Sequence, residues 1–584
     1  MNNLSKNKLL LALSLALSTL TACTALGVNQ TENTELDSKL STDQVRYISS
    51  DDALAKYEDK VTYPLEGFCL YQTPTGQEHI FLLDESAIAH QMLIEHQGNN
   101  FSLSEIRRFP LPPKAEYCAT DPVTEQLFIS EENIGIWAYS ARAESEVSRN
   151  VVDLKKPYGN VIHASGPLVV IDQQLLAAEK DGNVIHHYDI KKSATVLNTS
   201  YILSEKVKLD GLSVDKQGDD LFISYLDDTS EQSYFIKVAA TESDANVNAS
   251  KNMGHAIVNI TADAETQPVQ DQGDAADDPA IWLHPDSADK SLILGTNKQR
   301  GLLVYDLEGK QVQQLLVGRV NNVDVRQGFT HKGMPADIAA GSQRDNRSIA
   351  LFHIDASNGE VSAVNEIVTG LDDVYGLCMY RGLEQKMYVF INDQDGRYEQ
   401  YEINDTVAGW SGTRVREFSV DSQPEGCTAD DKNQRLFVGE ENVAVWTLGA
   451  EPDAKTEMTK VAEIGDVLKA DIEGMELYQT EKENILLVSS QGNDSYVLFQ
   501  ADAPYEYLGR FRIVLNAESG VDGASETDGL TVSSAYLGDK YPQGLVVVQD
   551  GRNLLPDNNQ NYKIVSWQKI DQQVLQLNKS KVSQ

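Results

Sequence analysis

VREFSVDSQPEGCTADDKNQRLFVGEENVAVW at 415–446 aligns without gaps on IRRFPLPPKAEYCATDPVTEQLFISEENIGIW at 106–137. The offset is 309 residues, 427 − 118, and the same offset relates GLCMY at 376–380 to GFCLY at 67–71. The chain therefore holds two copies of one unit, roughly 50–240 and 360–570. The extra segment 260–360 precedes only the second copy.

Short β-rich runs fill both copies, for example RLFVGEE, ILLVSSQ and GLVVVQD. Turns rich in Gly, Asn and Asp separate them, and such a repeating pattern favours a β-propeller over a sandwich. At about 45 residues per blade, 260–570 holds about six blades and 50–240 about four. We expect an all-β protein, with a six-bladed C-terminal propeller preceded by an incomplete, about four-bladed propeller-like domain.

The first residues have the pattern of an export signal. Lys6 and Lys8 precede an apolar run at 9–20 that is too short to span a bilayer. The sequence Leu20-Thr21-Ala22-Cys23 resembles a bacterial lipobox, which predicts lipidation of Cys23. A plain secretory signal with an unrelated cysteine stays open.

The organisation that follows is a lipoprotein signal peptide at 1–22, a polar tether at 23–45, a degenerate domain at 46–245 and a catalytic domain at 258–575. The protein would be exported and anchored to a membrane only through its lipid, at the outer membrane if the cell is Gram-negative.

Net charge and cysteine positions restrict the partners further. The formal net charge of −39 argues against binding to nucleic acid, and an anionic substrate would need added positive charge such as a metal. The repeat favours the disulfide pairs Cys69–Cys118 and Cys378–Cys427, whereas four buried thiols are the alternative.

Aspartates are crowded in DAADDPAIW at 274–282, and NNVDVR at 321–326 adds Asp324. Two carboxylates ~4 Å apart repel by about 4 kcal/mol at an effective dielectric near 20. Calcium, which prefers oxygen ligands, is the natural ion to relieve such a cluster. A solvated acidic turn is the alternative interpretation.

Many further motifs follow in order, among them TNKQRGLLVYDLEGK, DDVYG, PEGCTADD, GEEN, DIEGMELY, SSQGNDSY, ETDGL and QDGRN. In their order and spacing over about 260–570 they resemble the β-propeller phytases, here in a dual-domain form with an incomplete N-terminal copy. The resemblance implies several bound Ca²⁺ ions and a reaction in which metal-activated water releases phosphate from inositol hexakisphosphate (phytate), giving lower inositol phosphates.

The resemblance also implies the site residues. Tyr375 and four acids would form the catalytic centre, namely Glu425, Glu441, Asp471 and Glu473. Further calcium ligands would be Glu265, Asp277, Asp278, Pro279, Val323, Glu440, Asp528 and Asn553. Phosphate would be bound by Lys298, Arg344 and Tyr375. Where some members have lysine this chain has Gln394, and Arg397 would replace its charge.

Other functions stay open at this point. A calcium-dependent propeller lactonase and a non-catalytic calcium-binding surface propeller both fit an acidic propeller. No nucleophilic triad or glycine-rich phosphate loop is evident in the sequence. The N-terminal copy keeps Glu116 and Glu132 where the second has Glu425 and Glu441, but lacks most other site residues, so we expect it to be no independent phosphatase.

Overall fold

The computed structural model describes residues 56–239, apart from 99, 192–193, 204–206, 228 and 231, and residues 256–576. These ranges are almost entirely β-structure. Among them no helix is both long and apolar enough to cross a membrane. The predicted signal peptide, the tether and Cys23 lie outside the described residues.

Residues 65–239 form four antiparallel sheets, called here the N-terminal sheets. Sheet 1 contains β1 (Leu65–Gln72), β2 (Glu78–Asp84), β3 (Ile88–Gln97) and β4 (Asn100–Pro110). Sheet 2 contains β5 (Ala115–Asp121), β6 (Gln126–Glu131), β7 (Gly135–Ser140) and β8 (Arg149–Leu154). Sheet 3 contains β9 (Ser165–Ile171), β10 (Gln174–Glu179), β11 (Val184–Ile190) and β12 (Thr195–Ile202). Sheet 4 contains β13 (Leu209–Gln217), β14 (Asp220–Asp227) and β15 (Gln232–Ala239).

Two short strands, β16 (Val258–Thr261) and β17 (Ala264–Glu265), precede six further sheets, called the C-terminal sheets. Sheet 5 contains β18 (Ala276–Trp282), β19 (Leu292–Asn297), β20 (Gly301–Tyr305) and β21 (Gln311–Leu316). Sheet 6 contains β22 (Val320–His331), β23 (Met334–Gln343), β24 (Ser348–Ile354) and β25 (Val361–Val368). Sheet 7 contains β26 (Val374–Arg381), β27 (Met387–Asp393), β28 (Arg397–Thr406) and β29 (Gly409–Ser419).

The last three sheets complete the described chain. Sheet 8 contains β30 (Pro424–Asp430), β31 (Arg435–Glu440), β32 (Ala444–Gly449) and β33 (Thr459–Glu463). Sheet 9 contains β34 (Ile472–Gln479), β35 (Asn484–Ser490), β36 (Ser495–Gln500) and β37 (Tyr507–Val514). Sheet 10 contains β38 (Leu530–Ser533), β39 (Leu545–Asp550) and β40 (Asn561–Ser566). A short helix, α1 (Trp567–Ile570), continues as a π-helical turn, and three-residue 3-10 turns occur at Ala288–Lys290, Leu383–Gln385 and Gln491–Asn493.

The C-terminal sheets pack face to face in a ring. The first strand of each sheet lies beside the first strand of the next, from β18 through β22, β26, β30 and β34 to β38, which returns to β18. An apolar cluster fills each interface, including the one where sheet 10 meets sheet 5. Middle strands such as β27 and β39 are buried along their whole length because a sheet covers each face.

Strands from the start of this region complete its last two sheets. β17 pairs antiparallel with β40, so sheet 10 has strands from both ends of the region. β16 adds a parallel strand to β37 at the edge of sheet 9. The all-β architecture and the many four-stranded antiparallel sheets agree with the fold expected from the sequence.

The N-terminal sheets pack in series. β1 contacts β5, β5 contacts β9 and β9 contacts β13, with an apolar cluster between each pair of sheets. Disulfide Cys69–Cys118 joins β1 to β5, and Cys378–Cys427 joins β26 to β30 at the repeat-equivalent place. In both bridges the Cα atoms are 5.7 Å apart.

Candidate active site

The first strand of most C-terminal sheets is irregular where the candidate residues lie. The register of β26 on β27 shifts between Val374 and Leu377, and that of β30 on β31 shifts between Pro424 and Cys427. β34, β18 and β22 have equivalent shifts. A β-bulge redirects a side chain relative to its strand, and bulges are common beside active sites.

Close approach of neighbouring first strands explains the glycine that follows three of these candidates. A Cβ atom on Gly376 would lie 2.0 Å from the carbonyl oxygen of Glu425, and one on Gly426 would lie 2.2 Å from that of Glu473. Only glycine fits there. Tyr375, Glu425 and Glu473 each stand immediately before such a glycine, so bulge and glycine together deliver these side chains to one place.

These side chains meet in a cavity of about 740 Å³. All five predicted catalytic residues line it, together with the predicted ligands Asp528 and Asn553 and the predicted phosphate-binding residue Lys298. The other lining residues include Asp274, Gln423, Gln491, Glu526 and Arg552. The cavity is therefore the place where the structure brings most of the candidate residues together.

Three buried carboxylates form the centre of the cavity. One oxygen each from Glu425, Glu441 and Glu473 lie within 4.8 Å of one another. Burial and the neighbouring charges of Glu425 and Asp471 raise the pKa of Glu441 to about 7. Burial and Glu425 likewise raise the pKa of Glu473 above its usual range. The carboxyls of Glu441 and Glu473 therefore bind a proton more tightly than a free carboxyl does.

A positively charged side chain and a hydrogen-bond donor face the carboxylates. The Lys298 ammonium lies 2.7 Å from Asp274, 3.0 Å from Asp528 and 3.4 Å from Asp277. Burial alone would lower the pKa of Lys298, but Asp277 and Asp528 raise it above its usual value, so the lysine stays charged. The Tyr375 hydroxyl donates to Glu425 Oε2 at 3.0 Å.

Arg344 is held beside this tyrosine. Its guanidinium carbon lies 5.4 Å from the centre of the Tyr375 ring, and Nη1 donates to Asn321 Oδ1 at 3.3 Å. The Asn321 amide in turn donates to Glu425 Oε1 at 3.2 Å. Arg344 is therefore coupled to the carboxylate cluster although it does not line the 740 Å³ cavity.

Gln394 and Arg397, the two residues predicted where some family members have lysine, lie on the same side as Arg344. The Gln394 backbone N–H donates to the Asp373 carbonyl, and Asp373 also pairs with Arg344 at 3.3 Å. Arg397 lies among three aspartates, 372, 393 and 395, and its side chain is one-third exposed.

The remaining predicted metal ligands fall into other environments. Asp278, Pro279 and Val323 line a second cavity of about 20 Å³, with Asp324 and Glu476. That volume holds about one water molecule. There the Val323 N–H donates to Asp278 Oδ2 at 3.1 Å.

Glu265 and Glu440 have partners of their own. The Glu265 carboxylate accepts from Asn561 at 3.1 Å and from the fully buried Lys563 at 2.5 Å, and it does not line the cavity of Asp278 and its neighbours. Glu440 accepts from Ser422 at 2.6 Å and from Trp446 at 2.8 Å, so both of its oxygens are engaged.

Several site residues were missed in the sequence. Asn321 connects Arg344 to Glu425, while Glu526 and Arg552 form an ion pair in the cavity wall. The signals were present: Asn321 lies in NNVDVR, three residues before Asp324, and Arg552 interrupts an otherwise acidic and amide-rich QDGRN. Both are ordinary polar residues until the fold shows their neighbours.

The oxygen atoms of the site suit calcium. Among the described residues, buried oxygens without a hydrogen-bond partner include Oε2 of Glu473, Oδ1 of Asp277 and Oδ1 of Asn553. Unpaired buried acceptors are costly, and Ca²⁺ takes six to eight such oxygens. The residues present therefore fit the ion that the sequence predicted.

The repeat-equivalent residues in the N-terminal sheets are differently engaged. Glu116, the counterpart of Glu425, pairs with Lys180 at 2.9 Å. Ser165, the counterpart of Glu473, lies on β9 and shares a buried hydrogen bond of 2.6 Å with Ser130. His163, the counterpart of Asp471, pairs with Glu179 at 2.7 Å. The carboxylate cluster of the cavity is not reproduced at these positions.

Comparison with known proteins identifies the class. A family model described as Phytase matches residues 224–582. A "3-phytase" of Bacillus subtilis (strain 168) is 41% identical over 327 residues, which cover 54% of this chain and 85% of that protein.

Two solved structures are more distant. A functionally unknown protein from Desulfotomaculum acetoxidans DSM 771 is 10% identical with a TM-score of 0.29, covering 57% of this chain and 94% of that one. Saccharomyces cerevisiae Sqt1 is 11% identical with a TM-score of 0.26, covering 65% and 93%.

The all-β fold with its acidic cavity agrees with the family match, which spans more than half of the 584 residues. The chain belongs to the phytase family. It is a phytase, a hydrolase of phosphoric monoesters, as the sequence predicted.

Proposed function

We propose that this phytase depends on calcium and cleaves myo-inositol hexakisphosphate to lower inositol phosphates and phosphate, with the 3-phytase type of regiochemistry. The observation that carries the proposal is the triplet Glu425, Glu441 and Glu473, whose oxygens lie within 4.8 Å of one another. Lys298 and Tyr375 line the same 740 Å³ cavity, so a polyanion and a group of carboxylates share one site. Only added cations make that combination favourable.

The calcium ligands would be Glu425, Glu441 and Glu473, with Asp471 and Asp528 beside them. When bound there, the ions supply positive charge that offsets the carboxylates and the phosphoryl oxygens, and they lower the pKa of a water molecule. Because no nucleophilic triad is evident in the sequence, direct attack by water on phosphorus is the simplest reaction.

The chain's own residues bind and orient the substrate. Lys298, held charged by its aspartates, attracts the phosphate group. Burial, then the charge of Glu425, raises the pKa of Tyr375, so its phenol stays protonated and donates a hydrogen bond rather than acting as a nucleophile. Arg344 positions the tyrosine ring and adds a second positive charge on that side of the cavity.

We further propose the domain arrangement. Each of the six C-terminal sheets is one blade of the catalytic propeller, 258–575, while the four N-terminal sheets form an incomplete copy, 46–245, without activity of its own. Signal peptide 1–22, Cys23 lipidation and tether 23–45 would place both domains outside the cell membrane. Support for this part comes from the sequence and from the series packing of sheets 1 to 4.

The test is phosphate release from inositol hexakisphosphate by the full chain with calcium, with excess chelator, and after calcium is added back. Activity is expected only in the first and third conditions. Full activity in chelator would reject the calcium dependence. Parallel assays with a lactone substrate separate the phytase from a propeller lactonase, and the first product, resolved by NMR, shows whether the 3-phosphate leaves first.

A further inference from the structure

One loop of the N-terminal sheets reaches the wall of the candidate active site. Residues 141–148, between β7 and β8, contact the C-terminal sheets on two sides. Buried Arg107 holds the loop at two points, since its guanidinium donates to the Ser140 carbonyl at 3.0 Å and to the Ser145 carbonyl at 2.9 Å. The loop is thus a firmly held part of the interface between the N-terminal and the C-terminal sheets.

Its first contact runs through Arg142. Nη2 of Arg142 donates to Asp494 Oδ2 at 2.7 Å, and both side chains are nearly buried, 12% and 11% exposed. The other oxygen of Asp494 accepts from the Glu526 backbone N–H at 3.0 Å. Glu526 in turn forms the ion pair with Arg552. Three consecutive contacts therefore lead from Arg142 of the N-terminal loop to Arg552 of the cavity wall.

Its second contact runs through Glu144. The buried carboxylate of Glu144 accepts from the Leu515 N–H at 3.1 Å and packs so tightly on Gly523 that a Cβ there would lie 2.7 Å away. The Glu144 carbonyl oxygen accepts a hydrogen bond of 3.1 Å from Arg552 Nη1. One guanidinium is consequently held from both sides, by Glu526 and by the N-terminal loop.

Arg552 is placed to meet an anionic substrate. It lines the 740 Å³ cavity together with Lys298 and Tyr375. A guanidinium carries five N–H donors, and the two contacts leave further donors for a phosphate oxygen. Its side chain remains about one-quarter exposed, so a ligand in the cavity can reach it.

The loop differs from its repeat-equivalent at the residues that make these contacts. With the offset of 309, Arg142 corresponds to Glu451 and Glu144 to Asp453. Arg107 corresponds to Arg416, which holds its own loop by the same kind of bonds, to Gly449 and Lys455 carbonyls. The arginine that holds the loop is therefore present in both copies. The arginine that pairs with Asp494 occurs in the N-terminal copy alone.

We propose that Arg552 binds a phosphate group of the substrate other than the one being cleaved, and that Arg142 and Glu144 of the N-terminal sheets are its positioning residues. The N-terminal copy thereby sets substrate affinity without chemistry of its own. This inference rests on the proposed phytase function, because it assigns Arg552 to the same substrate.

The experiment uses the full chain with calcium and inositol hexakisphosphate. Arg552→Gln is expected to raise KM about tenfold, the effect of one charge-assisted hydrogen bond. Arg142→Met is expected to raise KM about threefold to fivefold, with a smaller change in kcat, and Arg142→Lys to restore part of the affinity. Arg108→Ala, which removes a 63% exposed arginine from the same unit, is the matched control and should leave KM unchanged.

Comparison of the double variant with the two single variants separates a positioning role of Arg142 from a general structural effect. If Arg142 acts through Arg552, the double variant Arg142→Met, Arg552→Gln has the KM of Arg552→Gln alone. Fully additive effects, or an unchanged KM in both single variants, would overturn the inference. Equilibrium binding of inositol hexakisphosphate to the same variants measures affinity without turnover. A wild-type protein that releases no phosphate therefore rejects the proposed function, while unchanged affinity in the variants rejects only the inference.

Discussion

Glu425 has three roles at once in the cavity: it accepts from Tyr375, accepts from Asn321 and belongs to the carboxylate triplet. Its counterpart Glu116 pairs with Lys180 on the N-terminal sheets. One residue type at one repeat position thus occupies two different electrostatic environments, and this difference supplies a matched control.

We predict that Glu425→Gln lowers kcat by about 10- to 100-fold, because it removes a charge that would hold calcium and an acceptor that orients Tyr375. Glu116→Gln should keep the wild-type kcat. Phosphate release and calcium titration of both variants check the prediction. Equal losses in the two variants would show that the activity does not depend on the triplet.

The pH dependence follows from Glu441 and Asp528, whose pKa values are raised to about 7 and about 6, chiefly by burial. Calcium must displace these protons, so its affinity should rise between about pH 5 and pH 8, with protons released on binding. In Glu441→Gln the rise should be smaller. Calcium isotherms in that range are the measurement, and an affinity independent of pH would contradict the prediction.

The stability of the metal-free protein should change in the opposite direction, falling as the pH rises. A carboxyl whose pKa is higher in the folded than in the unfolded state stabilises the fold while protonated, and this stability is lost as the pH rises through about 7. The melting temperature in chelator should therefore fall over this range more in wild type than in Glu441→Gln. Calcium should reverse the loss.

How far the sequence predicts the site depends on the kind of residue. The acids of PEG, DIEG and TDGL were predicted through the family resemblance, and Glu425, Glu473 and Asp528 lie in the wall of one cavity. Glu440 was predicted through the same resemblance, yet its oxygens are bound by Ser422 and Trp446. Arg552 and Asn321 gave no recurring pattern, since their roles come from neighbours distant in sequence. Spacing predicts position along a strand, not the partner across it.

At the scale of the strand, the bulge and its glycine determine the geometry. Gly426 approaches the next first strand so closely that a methyl group would lie 2.2 Å from the Glu473 carbonyl. The hydrophobic runs and turns predicted the strands themselves, because a buried strand needs apolar residues on both faces. The register shifts were not predictable, since they depend on pairing with a strand that the sequence does not identify.

We predict that Gly426→Ala destabilises the protein by about 1–3 kcal/mol or more, as expected for overpacking, and lowers activity by displacing Glu425 and Glu473. Gly465→Ala is the control, because nothing lies within 4 Å of the added Cβ. Thermal unfolding and phosphate release of the two variants give the comparison. A wild-type melting temperature for Gly426→Ala would show that the neighbouring first strands can move apart to accommodate the methyl group without a loss of stability.

At the scale of the molecule, two disulfides link first strands of consecutive sheets in equivalent places of the two copies. Each closes a loop with a sequence separation of 49 residues, for which loop-closure entropy corresponds to about 4 kcal/mol. Cys378 also follows Tyr375 on β26, and Cys427 follows Glu425 on β30. The second bridge therefore connects the two strands whose side chains meet in the cavity.

We predict that replacing Cys378 and Cys427 by Ala lowers the free energy of unfolding by about 2–4 kcal/mol and also lowers activity. Replacing Cys69 and Cys118 should cost similar stability with a smaller loss of activity, because that bridge lies in the N-terminal sheets. Denaturant unfolding and phosphate release of the paired variants measure both effects. Equal activity losses would show that the bridges act only through overall stability.

The shared composition of sheet 10 has a consequence for biosynthesis. β17 begins at residue 264, but its partner β40 ends at residue 566, almost at the end of the described chain. A ribosome making this protein releases every other strand of the ring before the closing pair can form. Sheets 1 to 4 use only neighbouring strands, so they can assemble while the remainder is still being translated. The C-terminal sheets then close their ring beside N-terminal sheets that are already folded.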